Sequence, residues 1–161
     1  MPANYPVPRE SSIELLLAGL LSQPTTVTRG QTPDPERDAT GIFAEWITDG
    51  NELAVLGFAD HEIVNYTGGA IMGLEAAALA EASGKGTLNG EALDGFREVV
   101  NVFASQLNSD YTKHLRLGEV QTLPGKLRDE VKSLWREPLA RRVYRVSVEG
   151  FGEGALIMYL G

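Results

Sequence analysis

Two pairs of short, β-favouring apolar runs constrain this chain more than any other feature. Gly41–Thr48 and Glu52–Phe58 are separated by Asp49-Gly50-Asn51, a turn signal that predicts a hairpin. Val143–Val148 and Ala155–Leu160 flank the glycine-rich segment Gly150 to Gly154 and read the same way. Hairpins impose antiparallel pairing, and the stretches between them carry helical periodicity. The expected class is therefore α+β, with long helices packed on one face of a largely antiparallel sheet. A length of 161 residues with 43% hydrophobic content suits one domain over residues 1–161 with its own core. No internal repeat or linker interrupts it.

The remaining elements follow from local signals. Ser11 with Glu14 three residues on forms a capping box for a first helix, whose stripe is Ile13, Leu16, Leu17, Leu20 and Leu21. Gln23 and Pro24 end it. Residues 24–41, with Pro24, Pro33 and Pro35, read as loop with one short strand at Thr25–Arg29. Residues 60–83 form an Ala-rich helical region ending near Gly84, capped by Asp60 or Thr67 and broken at Gly68-Gly69. Gly69, Gly73 and Ala77 leave a smooth strip for close packing. A third helix spans about residues 90–109, a strand Glu119–Leu123 stops at Pro124-Gly125, and a mixed stretch holds Trp135 and Pro138.

Composition narrows the chemistry. There is no Cys, so disulfides, thiolate nucleophiles and zinc-thiolate sites are excluded, and with two His (His61 and His114) a three-His metal centre is impossible. A formal charge of −8 argues against a nucleic-acid or anionic-membrane binder. The charge is uneven: residues 1–112 hold five basic and 16 acidic side chains, residues 113–161 nine basic and six acidic. The longest apolar stretch, Ile13 to Leu21, is far short of the roughly 20 residues a spanning helix needs, and it follows Arg9 and Glu10 rather than a basic start. The expected location is the cytoplasm. Any catalysis must use carboxylates, amides, hydroxyls or backbone.

The third helix holds such groups. At about 100° per residue, Leu93, Phe96, Val99, Val100, Phe103, Ala104 and Leu107 fall on one apolar arc. Asp94, Glu98, Asn101, Ser105 and Asn108 share roughly an 80° strip opposite it. Read alone, a polar strip opposite a core stripe is what any surface helix shows.

Asp94-xxx-Glu98-xx-Asn101, followed after 22 intervening residues by Pro124, resembles the signature of the CheC/CheX/FliY family of response-regulator phosphatases. At average residue usage all four positions match by chance in on the order of one chain in a thousand. The resemblance extends from about Leu53 to Lys126, including Gly68-Gly69-Ala70. Larger CheC members carry two such helices; here Glu10 and Glu14 are followed at that spacing by Ile13 and Leu17, so a single site on 161 residues is most similar to CheX. One departure stands out: the family usually carries Ala-Gly after the Asn, and this chain has Ala104-Ser105, which adds a hydroxyl and leaves less room for a partner backbone.

The resemblance implies a CheC-like fold, a homodimer like that of CheX, and removal of the phosphoryl group from an aspartate of a CheY-like receiver. It further implies that Asn101 orients the attacking water and Glu98 pairs with the receiver's active-site lysine. Asp94 and Ser105 support or contact the partner, and Pro124 shapes the strand end. No cofactor is expected on this chain; Mg²⁺ is expected on the phosphorylated receiver. The alternative is a non-catalytic binding or scaffold domain in two-component or chemotaxis signalling, and a weaker one is an oligomerisation module.

Three other signals carry less. Ser83-Gly84-Lys85-Gly86-Thr87 has Leu79 where a nucleotide-binding loop needs its upstream Gly, and it follows a helix instead of opening one. His114 is too far along the chain from Asp94 and Glu98 for local metal-ligand spacing. Arg136, Arg141, Arg142 and Arg145 read as surface and sheet-edge charges.

Overall fold

A computed structural model describes residues 5–31, 35, 39–109 and 112–161. Six strands, β1 (Thr25–Arg29), β2 (Gly41–Thr48), β3 (Leu53–Asp60), β4 (Leu115–Leu123), β5 (Ala140–Val148) and β6 (Gly152–Leu160), form one antiparallel sheet in the order β1-β5-β6-β3-β2-β4. Both expected hairpins are present. Asn51 takes a left-handed φ of 65° in the β2–β3 turn, and Gly150 takes φ 81° in the β5–β6 turn. The hairpins are fused through β3 and β6, from Val55 opposite Leu160 to Ala59 opposite Leu156. Strand β4 starts four residues before the expected Glu119, and β1 closes the far edge against β5. Of the expected 24–41 loop, residues 32–34, including Pro33, and 36–38 lie outside the described residues.

Side chains alternate across the sheet. Ile42, Ala44 and Trp46 of β2 meet the core beneath helices α1 (Glu10–Leu21) and α5 (Gly90–Phe103), while Phe43 joins Leu56, Phe58, Leu123, Val143, Ile157 and Tyr159 on the other face. Seven of the eight β2 residues are buried, which is why the strand reads as a continuous apolar run: both of its faces are covered. The two long helices lie together on one face, as the sequence suggests. The stretch around Trp135 adds a short helix on the other, designated α6 (Asp129–Arg136) below, whose Val131, Leu134 and Trp135 pack there, with Trp135 edge-on to Phe43 at 5.7 Å. Among the described residues no helix is long and apolar enough to cross a membrane.

Three local expectations are corrected. The Ser11–Glu14 capping box does not form: α1 begins at Glu10 without a side-chain cap, and the Glu14 carboxylate accepts the Val27 N–H at 2.9 Å, satisfying a strand amide instead of a helix one. The 60–83 region is α2 (His61–Ile63), a π-helical turn (Val64–Gly68), α3 (Gly69–Ile71) and α4 (Ala76–Gly84). Asp60 is the cap, accepting from Ile63 N at 2.9 Å, whereas Thr67 donates back to Ile63 O at 2.6 Å. The break falls at Gly73, with φ 71°, not at Gly68-Gly69. The smooth strip of Gly69, Gly73 and Ala77 is a contact surface only at Gly69, where a Cβ would stand 2.3 Å from Leu79 Cδ1 of α4; Gly73 has open space above it and Ala77 is exposed, so the strip does not seat α5. Gly68 makes the close approach, because its π-turn faces α5.

Candidate functional site

Helix α5 is seated by three sets of contacts. At its start, Asn89 Oδ1 accepts the Ala92 N–H at 3.0 Å, and the Asn89 N–H donates to Asn65 Oδ1 at 2.8 Å. Asn65, fully buried in the π-turn, also donates to Ser83 Oγ at 3.1 Å and to the Thr87 carbonyl at 2.9 Å. The Ser83–Thr87 segment is thereby stitched to the entry of α5. In the middle, α5 crosses the π-turn on glycines: a Cβ at Gly68 would stand 1.8 Å from Ala92 O. Along its length, Phe96, Val99, Val100 and Phe103 are buried against the sheet. The α-helix then tightens into a 3₁₀ turn at Ala104–Gln106.

The opposite side carries Asp94, Glu98, Asn101 and Ser105, all exposed. No hydrogen bond or ion pair within the described residues engages their side chains, so acid and amide, one helical turn apart, stand free above a rigid seat. Met72, half-exposed, packs beside Gly95 at the flank of this strip. Asn108, placed on the strip by periodicity, does not belong to it. Its Nδ2 donates to the carbonyls of Ala104 at 3.0 Å and Leu115 at 3.1 Å, and its Oδ1 accepts the Leu115 N–H at 2.8 Å, so it clamps the helix end to β4. The 3₁₀ turn shifts the 100° spacing that put Asn108 in line. Pro124 stands on a different element, exposed where the chain leaves β4, after a cis bond from Leu123, whose side chain is buried on the α6 face.

The cavity under α5, lined by Leu17, Trp46, Thr67, Phe96 and Val100 among others, measures about 20 Å³, too small for an organic substrate. Among the described residues no group of three or more His, Asp and Glu is placed to hold a metal ion. His61 Nε2 lies 3.1 Å from the Ser83 carbonyl, and His114 lies 3.8 Å from Asp49. A convex acid–amide pair with nothing to enclose a ligand suits insertion into a pocket on another molecule.

Sequence reading missed the buried polar groups that hold this scaffold. Glu45, on β2, is buried and pairs with Arg128 at the start of α6. Burial pushes its carboxyl above the usual range despite the guanidinium, with Glu119 and Glu130 adding to the rise. A lone acid inside an otherwise apolar strand was the available signal. Asn65 gave none, since its partners lie 18 to 24 residues away.

No family model matches the sequence, and no curated protein matches it. Solved structures do. FliY from Thermotoga maritima aligns over 93% of this chain and 82% of its own, with TM-score 0.57 at 11% identity. CheX, in a CheX–CheY–BeF3–Mg complex from Borrelia burgdorferi, aligns over 92% of each chain, with TM-score 0.52 at 7% identity. The FliM–SpeE complex from H. pylori matches over 94% of this chain and 80% of that chain, with TM-score 0.63 at 6% identity. The chain therefore has the CheC/CheX/FliY-like fold, which the middle domain of FliM shares.

Proposed function

We propose that this protein is a response-regulator phosphatase that hydrolyses the aspartyl phosphate of a CheY-like receiver. The observation that carries the reading is the free presentation of Glu98 and Asn101 on the outer side of a helix whose inner side is fixed at both ends. The fold shared with a CheX solved together with CheY supports the same partner. An acyl phosphate is already reactive, so what an auxiliary protein must add is a water held in line with the P–O bond. Asn101 orients that water; an amide has no useful pKa and is not a base. The water oxygen bonds to phosphorus, the bond to the aspartate oxygen breaks, the carboxylate leaves and inorganic phosphate departs. Glu98 accepts a charge-assisted hydrogen bond from the receiver's lysine and sets the docking register. Asp94 and Ser105 contact the rim of the receiver pocket, and Pro124 shapes the end of β4. Mg²⁺ belongs to the receiver, where with the lysine it offsets the acidity of Asp94 and Glu98.

The protein acts in the cytoplasm, where such receivers work, and pairs as a homodimer, for which sedimentation at micromolar concentration is the check. The decisive experiment is decay of a phosphorylated receiver with and without the protein. Faster decay that Asn101→Ala abolishes, with receiver binding retained, supports the reading; equal lifetimes with wild type and variant refute it. A scaffold is the second reading. It is favoured by the FliM–SpeE and FliG–FliM complexes of the same fold and by Ser105 in place of the usual Gly. It predicts receiver binding with unchanged decay.

A further inference from the structure

We infer that Trp46 is a positioning residue for Asn101: its indole N–H, reaching up from the sheet, sets the rotation of the helical turn that presents the amide. The inference rests on the phosphatase reading for its catalytic consequence, but its geometry stands apart from it. Trp46 is 1% exposed and sits in the middle of β2. The ladder to β3 shifts register between Trp46 and Ile47, and the ladder to β4 shifts between Ala44 and Trp46. The two irregularities flank Trp46 on either side of β2, with the surplus residues on β3, at Ala54, and on β4, between Leu117 and Val120, and such local twists re-aim the side chains beside them. On β3, Gly57 clears the space for the ring: a Cβ there would stand 2.8 Å from Trp46 Cζ3.

The aimed ring meets α5 at one carbonyl. Trp46 Nε1 donates to Val100 O at 3.2 Å, and the indole lies tilted against Phe103 with ring centres 5.7 Å apart. In a continuing α-helix the Val100 carbonyl takes the N–H of Ala104. Here the Ala104 N–H donates to the Asn101 carbonyl, in the i→i+3 pattern that opens the 3₁₀ turn. The residue after Val100 is Asn101, so the donor from the sheet and the change of helical pattern bracket the proposed water-orienting side chain. An apolar filler needs no acceptor at this spot; a buried indole N–H does, and it finds one on the helix, the Val100 carbonyl. A roll of 10° about the helix axis carries an amide tip roughly 6 Å from that axis by about 1 Å. Displacements of that size cost up to a hundredfold when a water must be held in line.

The test compares wild type, Trp46→Phe, Asn101→Ala and the double variant. A further variant carries benzothienylalanine at position 46, which keeps the shape of the indole without its N–H and serves if Phe does not fold. The readouts are kcat and KM for decay of an acetyl-phosphate-charged receiver, and amide hydrogen exchange along α5. The expected result is a fall of about tenfold in kcat for the position-46 variants, what one hydrogen bond is worth, with KM within twofold. The double variant runs no slower than Asn101→Ala alone. Exchange quickens at Asn101–Gln106 and is unchanged at Gly90–Phe96. Wild-type kcat in the position-46 variants beside an inactive Asn101→Ala overturns the inference and leaves the phosphatase reading standing. Wild-type rates in Asn101→Ala overturn that reading, and hydrogen exchange alone then decides on Trp46: unchanged protection at Asn101–Gln106 refutes it.

Discussion

Gly95 of α5 lies so close to Gly68 of the π-turn that a Cβ on Gly95 would stand 2.2 Å from the Gly68 carbonyl oxygen. Ile71 and Met72 close the same space from α3, with side-chain atoms 2.6 and 2.7 Å from that Cβ. Backbone cannot give way as a side chain tip can, so Gly95→Ala should destabilise by about 3 kcal/mol, the upper range for overpacking, and Gly68→Ala by at least as much. Gly84, with open space above it, is the control: Ala there should be neutral or slightly stabilising. Urea unfolding of the three variants checks the ranking.

Asn101 and Asn108, seven residues apart on one helix end, should behave oppositely. Asn108→Ala removes three hydrogen bonds and strips Leu115 of partners for both its backbone groups, a loss of about 2 kcal/mol in stability. Asn101→Ala touches no internal partner and should change stability by less than about 0.5 kcal/mol while slowing receiver dephosphorylation about a hundredfold. Thermal melts beside the decay assay separate the two.

Glu98→Ala should act on docking more than on chemistry. Losing one charge-assisted bond to a lysine raises KM about tenfold and weakens its salt dependence, with fold stability unchanged. Titration of a beryllofluoride-loaded receiver at two salt concentrations measures it.

Arg128→Ala should leave the Glu45 carboxylate buried without its cation, at a cost of about 2 kcal/mol at pH 7, allowing for the half-exposed guanidinium. The pH dependence has a definite sign. Burial raises the folded-state pKa of Glu45, so the folded protein keeps a proton that the unfolded chain has released, and stability falls as pH rises above the ordinary glutamate range. Removing Arg128 takes away the influence that lowers this pKa and widens the window. The deficit of Arg128→Ala should therefore be larger at pH 7 than at pH 5, and Glu45→Gln added to it should remove the difference. Chemical denaturation at the two pH values is the measurement.

The hairpins were legible because Asp49-Gly50-Asn51 and Gly150 to Gly154 act over a few residues, and the buried arc of α5 was legible because one period governs it. What escaped was set by distant partners. Glu14 looked like a capping residue until a strand amide outcompeted its helix, and Asn108 looked like part of a working strip until the 3₁₀ turn rotated it onto β4. The strip itself was placed on the exposed side by periodicity; its free state depends on what does not reach it, which no local pattern encodes.

Glu45 and Trp46 are consecutive residues, and the alternation of β2 sends one side chain to Arg128 on the α6 face and the other to Val100 on the α5 face. One peptide unit thus bears an anchor for each layer of the molecule. Energies of substitutions at these two positions should not sum: a change that shifts the β2 backbone toward α6 necessarily moves Trp46 beneath α5, and a double-mutant cycle across the sheet should show coupling although the two side chains lie on opposite faces and share no partner.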